Sequence, residues 1–220
     1  MALPATHIRF ALSVANGLPA EQMGAYLSGT LYPDSRWLTG VHRRKTHARR
    51  FLDPAFPSDA FTLGWHVHCV CDRIQRTLFD RLLGGPAQLD ADARWIRASA
   101  AKVIQDMQDA AAAELDERLP LLVHAQTPNS ESKDRVTAYL DLVRRAYRGQ
   151  TRPAWPVYAR LWGDVGLDRL KITAIEKQVL QFLADRPMAT RIKTAFGRMA
   201  AAWESGWQAP GDEGTSGGNA

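Results

Sequence analysis

The sequence predicts an all-α protein, a single-domain helical bundle spanning residues 1–208. Strand-like alternation is sparse, while long Ala-, Leu- and Arg-rich windows carry helical periodicity. Helix start and stop residues bracket those windows. At 220 residues and 45% hydrophobic content, the chain can bury a substantial core in one domain.

Taken in order, Thr6 caps a first helix that stops at Asn16-Gly17. A second covers Ala20 to Leu31, with Pro19 early in its first turn. It ends before Tyr32-Pro33-Asp34, because a residue preceding proline avoids the α region. Residues 35–57 read as loop-rich. Ser58 or Asp59 caps a long helix through about Leu83, which Gly84-Gly85-Pro86 stops. Another long helix runs from about Asp90 to Leu119, with Ile96, Val103, Ile104, Met107 and Ala111 along one face. A polar loop at 124–131 precedes helices at 132–148, 167–185 and 188–206, and Thr151–Pro156 is a connector. Residues 209–220 lack a large apolar anchor and read as a disordered tail.

The N-terminus has no basic region followed by an apolar stretch, so no signal peptide is expected. No apolar run approaches the roughly 20 residues that span a bilayer. The expected location is cytoplasmic. Cys69 and Cys71 diverge on a helix, so they read as small buried hydrophobes rather than a disulfide. Net charge is +5, with its one dense basic cluster at His42–Lys45 followed by Arg49-Arg50. Such a field can attract phosphate-bearing ligands, but alone it does not establish nucleic-acid binding.

Five residues carry the chemistry: His7, Asp34, His47, His68 and Asp72. They are nitrogen and oxygen ligands suited to zinc. His68 and Asp72 stand at i and i+4 on an apolar helix, so one helix can give two ligands to one ion. Burying that pair without a partner is costly, and a divalent cation offsets the cost. Gly64, one turn before His68 on the same face, leaves room for a neighbouring helix or an ion. His66 reads as a packing residue and His42 as a surface one. Trp155, Trp162, Trp203 and Trp207 read as helix-packing residues.

The order of these residues forms four motifs: Thr6-His7, Gly29-Thr30-Leu31-Tyr32-Pro33-Asp34, Thr46-His47, and Gly64-x-x-x-His68-x-x-x-Asp72. Over residues 5–80 this resembles the bacterial zinc-dependent phospholipase C family, in its non-secreted branch. The resemblance implies a helical bundle of the phospholipase C and single-strand nuclease type. It also implies that Asp34, His47, His68 and Asp72 hold one zinc, and that His7 serves a second that shares Asp72. The secreted enzymes complete a further site with His, His and Glu. Here no histidine lies between Asp72 and His124, so that third site is expected to be absent and the metal count to be one or two.

The implied activity is hydrolysis of a phosphoester, with a phosphate-containing small molecule or a lipid headgroup as partner. Two zinc ions sharing Asp72 would lower the pKa of a water and clamp a phosphoryl oxygen. Asp34, at the mouth of the site, would orient that water as general base. Two other readings stay open. One is a helical scaffold or binding module with a structural metal, marked by a closed four-ligand ion. The other is a basic nucleic-acid-binding protein using the Arg43–Arg50 loop, marked by a contiguous positive face.

Overall fold

The computed structural model of the chain describes residues 3–84 and 90–206. Among the described residues the regular structure is helical, with no strand. The architecture follows from two helices with long buried stretches. The first, α1 (Pro4–Val14), has Ala5, Ile8, Phe10 and Ala11 fully buried, and it runs through the middle of the bundle. The second, α4 (Ala60–Leu82), buries every residue from Gly64 to Asp72. A stretch buried all round must be covered by neighbours on several sides.

Those neighbours are α2 (Met23–Leu31), packed directly on α4, and α5 (Ala91–Ala112), packed along α1. Two short helices, α3 (Arg36–Thr39) and α6 (Leu115–Arg118), lie in the connections. The remaining helices are α7 (Lys133–Tyr147), α8 (Trp155–Asp164), α9 (Arg169–Ala184), α10 (Arg186–Lys193) and α11 (Ala195–Glu204). They close the bundle around a core that includes Tyr147, Tyr158, Trp162, Ile175 and Met199. A smaller aromatic core of Tyr32, Phe51, Phe61 and Trp65 sits under the 40–57 segment.

Sequence signals set most boundaries. Asp59 accepts from Thr62 N–H while the Thr62 side chain returns the bond, a capping box at the start of α4. Gly84, at φ +79°, follows its last turn. Asp90, Ser132, Asp168 and Asp185 cap α5, α7, α9 and α10.

Several expectations change. Tyr32 keeps an α conformation before Pro33, and a 3-10 turn over Tyr32–Ser35 continues the chain from α2. The first helix begins at Pro4 instead of after Thr6, because Pro suits the first turn and Thr6 uses its hydroxyl elsewhere. Thr6 N–H and Oγ1 donate to Asp106 and Asp109 on α5, at 2.8 Å each, so the helix start is capped from another helix. The 90–119 helix breaks at Glu114, which takes a left-handed conformation at φ 47°. The 188–206 helix divides at Thr194. The connector at 151–156 ends in α8, where Pro156 occupies the first turn and Trp162 is fully buried. The loop-rich 35–57 section holds α3 and 3-10 turns at Arg43–Lys45 and Arg49–Leu52. The tail at 209–220, like Gly85-Pro86 and Trp207, lies outside the described residues.

Candidate metal centre

The centre begins with a close helix contact. A Cβ on Gly64 would fall 2.0 Å from the Tyr26 carbonyl oxygen, and one on Gly29 would fall 2.0 Å from that of Phe61. Both obstacles are backbone, so only glycine lets α2 and α4 approach this far. The approach brings the Thr30 carbonyl to 2.8 Å from His68 Nδ1. A carbonyl can only accept, so Nδ1 carries the proton and Nε2 is the ring position left to face a ligand.

His47 reaches the same point from the opposite side. Trp65 Nε1 donates to the Thr46 carbonyl at 2.7 Å and the Cys69 thiol donates to it at 3.4 Å, which ties the 43–47 turn to α4. The Thr46 hydroxyl lies 3.3 Å from the Arg43 carbonyl and 2.7 Å from His47 Nδ1. With the hydroxyl proton on that carbonyl, its oxygen accepts from Nδ1–H and His47 also presents Nε2 as a lone pair; with the hydroxyl proton directed at Nδ1, the His47 Nε2–H donates to His68. The two Nε2 atoms face each other at 3.2 Å. In the first arrangement the two lone pairs repel unless a cation lies between them. On a tetrahedral zinc with bonds of about 2.0 Å, two nitrogen ligands stand about 3.3 Å apart.

Carboxylates surround this pair without hydrogen-bonding to it. His47 Nε2 is 3.9 Å from Asp34 Oδ1 and 3.7 Å from Asp72 Oδ2. His7 Nε2 is 3.8 Å from Asp72 Oδ1, and the His7 ring stacks on His68 with centroids 3.8 Å apart. Both His7 nitrogens and Asp72 Oδ1 are buried with no hydrogen-bond partner. Buried polar atoms are rarely left so, and positive charge beside Asp72 offsets the cost at its Oδ1. His7, His68 and Asp72 form one compact donor set, and Asp34, His47 and His68 form another.

The electrostatics favour metal ligation over protonation. Burial, then the neighbouring His68, hold His7 well below the usual imidazole range and bring His47 down to about 2. Neutral imidazoles are the form that binds metal. Burial pushes the Asp72 carboxyl up, but nearby positive charge, Lys102 first, outweighs it and holds the group well below its ordinary value.

All five sequence-predicted residues thus converge, from α1, the 3-10 turn after α2, the 43–47 turn and α4. Asp34 differs from expectation in one respect. Its side chain is only 5% exposed, in the wall rather than at the mouth. The more open edge is at Arg43, 42% exposed, whose Nη2 lies 3.9 Å from Asp72 Oδ2. Of the basic cluster only Arg43 reaches the centre, while Arg44 and Lys45 are exposed and Arg49 and Arg50 line a separate open surface depression. His66 bonds the Phe51 carbonyl at 2.9 Å, His42 caps the 43–45 turn, and both cysteines are free and buried.

Sequence reasoning missed four contributors. Lys102 on α5 places Nζ 4.0 Å from Asp72 Oδ1. Arg36 stands within electrostatic reach of Asp34 and Asp72. The Thr30 carbonyl and Trp65 orient the two histidines. The glycines at 29 and 64 were a readable sign of the helix contact, whereas nothing local marks Lys102.

In comparisons with known proteins, no family model matches the chain, no curated protein matches it, and no solved structure matches it. The resemblance drawn from the four motifs therefore rests on those residues and on the geometry they form.

Proposed function

We propose that the chain is a metal-dependent hydrolase of phosphoesters, phospholipase C-like, with a bundle of the phospholipase C and single-strand nuclease type. The observation that carries this reading is the facing pair of His47 and His68 Nε2 atoms, 3.2 Å apart, with both Nδ1 atoms already committed. Asp34 and Asp72 complete a two-nitrogen, two-oxygen set that suits zinc. His7 is available to a second ion through the shared Asp72. Bound zinc supplies a Lewis-acid charge and an acidified water.

The chain's own residues supply the rest. The Thr30 carbonyl and Thr46 hydroxyl fix the imidazole orientations. Asp34 accepts a proton from water at the centre. Arg43, at the open edge, offers a guanidinium to phosphoryl oxygens, and Arg36 adds charge behind Asp34. These cations favour an anionic substrate, a phosphodiester or a phosphomonoester.

A second reading is a non-catalytic scaffold with a structural metal. It is favoured by burial, since the Asp34, His47 and Asp72 side chains are at most 9% exposed. A screen of generic phosphoesters with the zinc-loaded protein separates the two. Turnover that is absent in His68→Ala, and that falls in Asp34→Asn much more than zinc content does, supports the hydrolase. No turnover above the His68→Ala control supports the scaffold.

A further inference from the structure

The two donor sets at the centre compete for one atom. Each includes His68, and each needs the same nitrogen of it. His68 Nδ1 is occupied by the Thr30 carbonyl, so Nε2 is the ring's single available lone pair. One lone pair binds one ion. That nitrogen faces His47 Nε2 at 3.2 Å, which commits it to the Asp34–His47 side.

The other side is then left with His7 Nε2 and Asp72 Oδ1, 3.8 Å apart. Two donors make a poor site for a second divalent ion, which usually takes at least four ligands. That side is not short of positive charge. Lys102 reaches in from α5 with its side chain only 13% exposed, and its ammonium stands 4.0 Å from the same Asp72 Oδ1. A dication there would meet a fixed cation at close range in a poorly solvated pocket, where repulsion is strong. An ammonium is a compact charge with three donors, so it can also hold an oxyanion bound at the centre.

We propose that the centre takes one divalent cation and that the Lys102 ammonium supplies the second positive charge, on the side of His7 and Asp72 Oδ1. This rests on the metal reading given above and narrows it. His7 becomes a packing partner of His68 and a neighbour of Asp72 instead of a metal ligand.

The test is zinc stoichiometry after equilibrium dialysis at fixed free zinc, read by mass spectrometry, with folding followed by circular dichroism. Wild type and Lys102→Arg should each hold one ion. Folded Lys102→Gln, which keeps length and loses charge, should still hold one ion, because the remaining donors are too few for a second, and should bind inorganic phosphate in calorimetry at least about tenfold more weakly than wild type and Lys102→Arg. His7→Ala should still hold one ion, with its affinity changed less than about threefold. Two ions in wild type or in folded Lys102→Gln, unchanged phosphate affinity in folded Lys102→Gln, or an ion lost in His7→Ala would each overturn the proposal while leaving the metal reading intact. No ion in wild type would overturn both.

Discussion

Replacing Gly64 by alanine should damage stability and metal binding together. The new Cβ would lie 2.0 Å from the Tyr26 carbonyl oxygen and 2.7 Å from Thr30 N. Ordinary carbon–oxygen contacts start near ~3.3 Å, so α2 and α4 must separate by more than about 1 Å. Neither obstacle is a flexible side-chain end, so the helices themselves have to shift. The bond from His68 Nδ1 to the Thr30 carbonyl, now 2.8 Å, would then pass the length at which hydrogen bonds hold. Overpacking costs about 1–3 kcal/mol and a broken buried hydrogen bond about 1–3 kcal/mol more, a total of roughly 2–6 kcal/mol. In a chain of this size that lowers the melting temperature by roughly 4–24 °C. Because His68 is no longer oriented, zinc affinity in a competition titration should fall by about tenfold or more. Gly29→Ala disturbs the same interface, so the double variant should lose less than the sum of the two. A Gly64→Ala protein that melts within about 2 °C of wild type would refute the link between this helix contact and the centre.

Further outcomes follow from other contacts. Trp65→Phe keeps the ring but removes the donor to the Thr46 carbonyl, so it should cost about 1 kcal/mol in urea unfolding and weaken zinc binding by loosening His47. Asp72→Asn should abolish zinc retention in dialysis, since it removes the carboxylate that faces both histidines, and retained zinc would contradict its role. A strong chelator should lower the melting temperature of wild type and leave His68→Ala unmoved, because only wild type holds a metal whose binding stabilises the native state. Burial pushes Asp106 up to about 7 against the bonds from Tyr147, Thr6 and Tyr158. Its pKa is thus raised on folding, so its contribution is intact below about pH 4 and is lost as pH rises through about 7. Asp106→Asn should flatten that part of the stability profile, and an unchanged slope between pH 4 and 7 would contradict it.

The helical class and most helix starts were legible because they are local. Asp59 with Thr62, and the caps at Asp90, Ser132, Asp168 and Asp185, act on their own backbones. The breaks at Glu114 and Thr194 were not legible, since no glycine or proline marks them and packing of the flanking helices decides them. Thr6 looked like a cap and is instead bound by Asp106 and Asp109, about a hundred residues away. The same rule holds at the centre. His68 and Asp72 share a helix face, which spacing reveals. Their meeting with His7, Asp34 and His47 was readable through the ordered motifs. Lys102 and the Thr30 carbonyl arrive through tertiary packing alone, and no pattern in the sequence announces them. The acids of α5 lie on a face that reads as apolar, because Asp106 and Asp109 are satisfied by α1, Tyr147 and Tyr158.

The most direct test of the account is anomalous diffraction at the zinc absorption edge from crystals of the zinc-loaded protein. The account predicts a peak within about 2.2 Å of His47 Nε2 and His68 Nε2, with Asp34 and Asp72 oxygens at similar distances. No peak between those two nitrogens, with the imidazoles remaining in direct contact, would contradict it.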